Sequence, residues 1–243
     1  LLNAGAKSVT AIEFDERAVR ALQELEQAAQ GRLKVIYADA LNMDLSALCE
    51  APRAIAANLP YNIATPLLTG WLAQIRENPD SYAHMTLMFQ REVADRITAA
   101  PGTKAYGRLS VLSQWLCSCR KVMDLPASAF TPPPKVSSSV VRFVPHRPPP
   151  RPVNTSDEAK PRCAPTPAGE GRMSENPSFK AVERVTAAAF GQRRKMVRSS
   201  LKDYAAYFEQ AEISPESRAE ALTPAQFVIL AGLQEAAGSS RLG

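Results

Sequence analysis

The chain is predicted to be α/β, with a doubly wound parallel sheet followed by a small all-helical C-terminal domain. Three observations predict this. Short β-branched strands alternate with amphipathic helices through residues 1–145. A stretch from His146 to Pro177, with prolines at 148, 149, 150, 152, 161, 165, 167 and 177, interrupts the alternation. Residues 178–243 then show only helical spacing. A length of 243 residues accommodates one medium and one small domain joined by such a linker.

Ser8 to Phe14 reads as the first strand. Asp15 stands where an N-cap belongs, Val19, Leu22, Leu25 and Ala29 recur at helical spacing, and Gly31 supplies a stop. Leu33 to Ala38 is a second strand ending at Asp39, and Ala54 to Ala57 a third. A helix from Thr65 to about Arg76 follows, with Pro66 in its first turn. His84 to Phe89 is a fourth strand and Arg91 to Thr98 a short helix. Ser110 to Asp124 and Ser137 to Val144 are expected to add late strands. Beyond the linker, helices are expected around Phe179, Val182, Val185 and Phe190, then over Met196–Leu201, then from Ala219 to Leu233.

Apolar residues make up 45%, enough to fill a core, yet no run approaches the roughly eighteen needed to span a membrane. The opening residues lack a basic region followed by an apolar stretch, so they do not read as a signal peptide. Cys49, Cys117, Cys119 and Cys163 are scattered; Cys117 and Cys119 stand too close for a zinc knuckle and would share one strand face. Core packing, no metal, reduced thiols and a cytoplasmic location are the expectations. A net charge of +5 permits a polyanionic partner without requiring one.

The chemistry concentrates at Asn58-Leu59-Pro60-Tyr61, between the third strand and the following helix. Ligands of open α/β sheets bind at the carboxyl ends of strands. The lone pair of an exocyclic base amine is delocalised into the ring. Two acceptors, the Asn58 side-chain oxygen and the Leu59 carbonyl, could take both amino hydrogens and draw the nitrogen toward a tetrahedral shape. Tyr61 could stack on the base while Pro60 stiffens the turn. An ordinary strand-to-helix turn is the competing reading, since Asn and Pro are common there. Glu13 and Asp39 end two further strands, where acidic groups suit the ribose hydroxyls and adenine amine of an adenosine-built cofactor. If the transferred group is a methyl, that cofactor is S-adenosyl-L-methionine. Taken singly, Glu13 reads as a helix cap and Asp39 as a turn residue.

The stretches Ala11–Asp15, Tyr37–Leu41, Asn58–Leu68, Gln90–Arg96, Lys104–Gln114, Ser128–Arg142, Phe190–Leu201 and Leu222–Phe227 resemble, in order, the small-subunit (16S) ribosomal RNA adenine N6,N6-dimethyltransferases. The resemblance covers nearly all of the chain except the proline-rich linker. It implies a Rossmann-like class I methyltransferase sheet over 1–145, a linker over 146–177 and an RNA-binding helical domain over 178–243. It further implies cofactor binding by Glu13, Asp39 and Asn58, a catalytic motif at Asn58, Leu59, Pro60 and Tyr61, and an aromatic, Phe130, packing on the other side of the target base. Two adjacent adenines near the 3′ end of the rRNA would be dimethylated on a pre-30S particle during ribosome biogenesis, by a unit expected to be a monomer.

The cluster Arg193, Arg194, Lys195, Arg198 and Lys202 is expected to contact RNA phosphates, with Arg194 and Arg198 sharing a helix face. A merely solvated helix is the bland alternative. Lys104, Arg108 and Lys135 are weaker candidates facing the same substrate. Two other functions compete: a large-subunit rRNA adenine N6-methyltransferase, and a non-catalytic RNA-binding assembly factor. One departure stands out. The family's glycine-rich loop is absent, since neither Gly5 nor the residues before it form a G-x-G. The loop and the central strand before it are expected upstream; counted with that strand, the second and fourth strands lose a neighbour. Cofactor binding by these 243 residues alone is accordingly expected to be weak or absent.

Overall fold

The computed structural model describes residues 1–147 and 177–239. In chain order these form β1 (Val9–Glu13), α1 (Glu16–Ala28), β2 (Leu33–Tyr37), β3 (Ala54–Asn58), α2 (Ala64–Glu77), β4 (His84–Gln90), α3 (Arg91–Ile97), α4 (Arg108–Leu116), β5 (Cys117–Leu125) and β6 (Ser138–Pro145). The C-terminal helices are α5 (Phe179–Gly191), α6 (Val197–Ser200) and α7 (Pro224–Ser239). The linker prolines 148–167 and Cys163 lie outside the described residues.

Local chemistry explains the boundaries. Asp15 caps α1, its carboxylate accepting from the Arg17 amide at 2.9 Å. That helix ends where Gln30 and Gly31 turn to positive φ, a conformation glycine adopts without strain. Ser178 caps α5 by accepting from the Ala181 amide at 3.2 Å. Thr223 and Gln226 form reciprocal bonds of 3.0 and 3.3 Å, with Pro224 at the first position of α7.

Three expectations need correction. Ser110 to Leu116 is helix, and the strand starts only at Cys117. The apolar run Val111, Leu112, Trp115, Leu116 is buried at helical spacing, and the Ser110 hydroxyl accepts from the Gly107 amide at 3.0 Å to open the helix. The stretch Ala219–Leu233 is broken as well, because the Thr223 capping bonds make Leu222 extended and start α7 afresh. Finally, the strands form two sheets rather than one. β1 pairs only with β2, in parallel; the other sheet runs β3-β4-β6-β5, with β3 and β4 parallel and β6 antiparallel to both neighbours. Among the described residues no strand lies between β1 and β3.

One core joins α2, α4, β4 and β6 to the C-terminal helices. At the seam Trp115 stacks on Phe179 with centroids 6.2 Å apart, and Phe190 meets Tyr106 and Phe227 at 6.0 and 5.6 Å. The Arg76 guanidinium lies 5.8 Å from the centre of the Trp115 ring, a cation–π contact across α2 and α4. Gly102 donates its amide to the Glu220 carbonyl at 2.7 Å. No residue before Leu59 is buried. The β1–α1–β2 unit touches the core through the turn Ala40–Asn42 against α2 and a 3.1 Å bond from Gln74 to Asp44.

Candidate active site

Glu13 and Asp39 come together at one end of the small sheet. Glu13 is the last residue of β1 in register with Tyr37, and its carbonyl accepts from Ala38 at 3.0 Å, one residue before Asp39. Each carboxylate is held by backbone. Glu13 Oε1 accepts from the amides of Phe14 and Asp15, both at 2.8 Å, while Oε2 has no bond among the described residues. Asp39 accepts from the Leu41 amide at 2.9 Å and the Asn42 side chain at 3.1 Å. Beside them Phe14 and Tyr37 stack at 6.1 Å, yet are 68% and 58% exposed, a large apolar surface left facing solvent. Sequence reasoning passed over this pair; two aromatics at adjacent strand ends were the available signal.

Asn58 is the last residue of β3, one residue further than the strand expected from sequence, and pairs with Met88 of β4. It belongs to the other sheet, so no strand pairing joins it to Glu13 and Asp39. The connection runs instead through the Ala40–Asn42 turn, which packs on α2, the helix that begins just after Tyr61. Within the tetrapeptide, Leu59 is buried and anchors the turn, while Asn58, Pro60 and Tyr61 are exposed. The Pro60 carbonyl accepts from the amides of Ile63 and Ala64 at 3.1 and 3.0 Å, starting α2. Neither the Asn58 side-chain amide nor the Leu59 carbonyl is engaged by another described group. Both acceptors are therefore available to a ligand.

Tyr61 reaches across to β6, its hydroxyl 3.1 Å from the Ser138 hydroxyl. Ser138 pairs with Gln90 on one side and Leu125 on the other. That register brings the β5–β6 loop, which carries Phe130, to the same end of the sheet as Tyr61. Phe130 is half-buried, its amide bonded to the Ala127 carbonyl at 3.2 Å, and its ring stacks on no other aromatic ring among the described residues. Register thus puts Asn58, Leu59, Pro60, Tyr61 and the Phe130 loop at the same end of the four-stranded sheet, with Glu13 and Asp39 on the β1–α1–β2 unit.

The basic cluster is arranged differently from the expectation. The chain leaves α5 at Gly191, where Gln192 departs from helical geometry, so Arg193, Arg194 and Lys195 occupy a turn and Arg198 sits in the separate helix α6. Arg194 and Arg198 do not share a helix face. Arg193 pairs with Glu220 at 3.3 Å and donates to the Lys104 carbonyl, which ties the C-terminal helices to the loop before α4. Arg198 faces Glu216 at 3.9 Å. Arg194, Lys195 and Lys202 are exposed and have no ion-pair partner among the described residues. Arg108 pairs with Glu183 at 2.6 Å beside a shallow groove of about 600 Å³ between α4, α5 and α7, lined also by Lys180, Arg184 and Glu235. Lys135 is exposed on the Phe130 loop.

Among the described residues no group of three or more His, Cys, Asp or Glu could hold a metal ion, and no helix is long and apolar enough to cross a membrane. Cys117 and Cys119 lie along β5 as expected, and burial pushes the Cys117 thiol up to about 12.

Comparison with known proteins decides among the chemistries such a mouth could serve. The family model described as ribosomal RNA adenine dimethylase matches residues 1–158. The chain belongs to that family. It is 48% identical over 235 residues to the ribosomal RNA small subunit methyltransferase A of Gluconobacter oxydans (strain 621H), covering 96% of this chain and 68% of that protein. It is 47% identical over 242 residues to the same-named protein of Rhodospirillum rubrum, covering 98% of this chain and 74% of that one. A dimethyladenosine transferase of Plasmodium falciparum has the same fold, with a TM-score of 0.67 at 22% identity over 96% of this chain and 83% of the other. The dimethylase family is of the class that uses S-adenosylmethionine.

Proposed function

We propose that this protein transfers methyl groups from S-adenosylmethionine to N6 of two adjacent adenines near the 3′ end of small-subunit rRNA, producing dimethyladenosine on a pre-30S particle. The observation that carries the reading is the pair of unengaged acceptors, Asn58 Oδ1 and the Leu59 carbonyl, presented at a strand end beside an exposed tyrosine. The curated relatives carry the name small subunit methyltransferase.

The residues present fit the cofactor. Glu13 keeps one carboxylate oxygen open for ribose hydroxyls, and Asp39 is held by its own turn in a place suited to an adenine amine. When bound, S-adenosylmethionine supplies a methyl group on a sulfonium, which makes it electrophilic. The chain's own part is orientation. Asn58 and Leu59 accept the two amino hydrogens, which directs the nitrogen lone pair out of the base plane. Tyr61 and Phe130 hold the extruded base between them, offsetting a few kcal/mol of unstacking. No strong general base is required, because the amine loses its proton readily once methylated. Arg194, Lys195, Arg198 and Lys202 would draw the RNA backbone in, with Arg193 contributing more to the seam than to RNA. The unit would act as a cytoplasmic monomer, with 1–145 as the methyltransferase domain, 146–177 as linker and 178–243 as the RNA-binding domain.

The tests are cofactor binding by calorimetry and methyl transfer from saturating labelled S-adenosylmethionine to undermethylated small ribosomal subunits and, separately, to large subunits, comparing the protein with its Asn58→Ala variant. The expected result is label in adenine, lost by roughly 100-fold or more in the variant while RNA binding is kept. Equal label in both would sink the assignment of Asn58. Label only in large-subunit RNA would move the reading to the other methylase type. Binding of both RNA and S-adenosylmethionine with no transfer at all would favour an assembly factor.

A further inference from the structure

We propose that Ser138 is a positioning residue, whose buried hydroxyl fixes the Tyr61 ring in the orientation that receives the target adenine. The proposal rests on Tyr61 being the base-stacking side chain. Tyr61 sits in a turn between β3 and α2, outside both elements, and is 42% exposed. An exposed tyrosine on a turn samples several rotamers, and its ring orientation is then lost entropy to be recovered when a base docks. Here one contact restrains it: the hydroxyl bond to Ser138 at 3.1 Å.

The anchor is unusually fixed for a serine. Ser138 is fully buried and opens β6 with strand partners on both sides, Gln90 and Leu125. The carbonyl just before it, on Ser137, accepts from the Arg91 amide at 2.9 Å. Its hydroxyl has no other partner among the described residues. The next residue supplies an internal contrast. Ser139 is equally buried but points to the opposite face of the strand, where its hydroxyl donates to Asp124 at 2.5 Å. Lys121 then bridges Asp124 and Asp95 of α3 at 3.6 and 2.8 Å. Of two adjacent buried serines, one braces the scaffold and the other reaches only the catalytic tetrapeptide. A buried hydroxyl with a single partner 77 residues away in sequence is explained by what it holds.

Ser138→Ala removes one hydroxyl and leaves the partly exposed Tyr61 side chain otherwise intact. Four variants would be compared with the parent: Ser138→Ala, Tyr61→Phe, the double variant, and Ser139→Ala. Two readouts apply: kcat and KM on undermethylated small subunits, and the fluorescence quench of 2-aminopurine placed at the target adenine on binding. The loss of one such bond corresponds to roughly a 3- to 10-fold change. Expected is that fall in kcat for Ser138→Ala, with KM for the subunit unchanged and a weaker quench. Tyr61→Phe should match it, and the double variant should be no worse than either single. Ser139→Ala should lower thermal stability while leaving quench and kcat near the parent's. Parent-like kcat and quench in Ser138→Ala, or losses that multiply in the double variant, would overturn the proposal. If the parent binds S-adenosylmethionine yet transfers no methyl group, the proposed function fails, while the quench series still decides the role of Ser138.

Discussion

The two halves of the candidate site stand on regions of very different build. The Asn58–Tyr61 turn rests on the four-stranded sheet, whose β4 contributes Met85, Leu87 and Phe89 to the core, all at most 1% exposed. The carboxylates Glu13 and Asp39 rest on β1–α1–β2, where no side chain reaches burial and Leu25, Phe14 and Tyr37 face solvent. Both regions use the same local grammar of capped helices and parallel strands. What separates them is long-range packing, since propensity and capping shape an element but apolar burial supplies most of its stability. Among the described residues the part carrying Asn58–Tyr61 is thus firmly packed, and the part carrying Glu13 and Asp39 is thinly packed and expected to open more easily.

The largest expected effect comes from cutting the core on the rigid side. Phe227 of α7 is fully buried against Phe190, so Phe227→Ala should cost about 3–5 kcal/mol. Because one core runs through the seam, the sheet and the C-terminal helices should melt together in one transition. Leu22→Ala on α1, where the side chain is only half-buried, should cost about 1 kcal/mol. Calorimetry on the two variants checks the contrast; similar costs would erase it.

That contrast also explains what could be read from sequence. The placement of Glu13, Asp39 and Asn58 at or just beyond strand ends was legible because each follows a short apolar run, a local pattern that needs no knowledge of packing. Strand ends came within a residue for the same reason. The α4–β5 stretch differs from expectation because Val111, Leu112, Trp115 and Leu116 keep helical spacing only up to Cys117, where strand alternation begins, and no Gly or Pro marks the change. The spacing of Arg194 and Arg198 promised a shared face only if the helix continued, and it stops at Gly191. The Tyr61–Ser138 bond was invisible in principle, since no local rule pairs a turn with a strand start that distant. The gap between the two sheets falls where the sequence already leaves two strands without a neighbour, although periodicity does not encode strand pairing.

A second, intermediate effect uses the thiols as reporters of the two regions. Cys117 is 1% exposed on β5, and burial raises its thiol from 9.0 to about 12, with Cys119 pushed well above the usual range beside it. Cys49, before β3, is exposed. The native fold favours the neutral form of Cys117. Its contribution to stability is therefore complete below about pH 9 and is lost progressively as pH rises toward 12. Peptide mapping after brief alkylation near neutral pH should find Cys49 labelled and Cys117 and Cys119 protected, with protection failing in alkali as the core opens. Early labelling of Cys117 near neutral pH would mean the rigid region opens as readily as the soft one.

The smallest effect probes the soft region alone. β2 is an edge strand, and the outward amide of Val35 is met by the Glu26 carboxylate of α1 at 2.8 Å. This single side chain both ties the helix to the sheet and blunts an open strand edge, the usual place for unwanted pairing. Glu26→Ala leaves that amide to water and should cost about 1 kcal/mol, read as roughly fivefold faster hydrogen exchange in β1 and β2. Exchange in β4 and β6 should not change, because their amides open only with the shared core. Glu26→Gln keeps an acceptor on the same stem and should restore most of the protection. Uniform acceleration across both sheets in Glu26→Ala would show instead that they open as one unit, and the softness assigned to the cofactor side would then belong to the whole molecule.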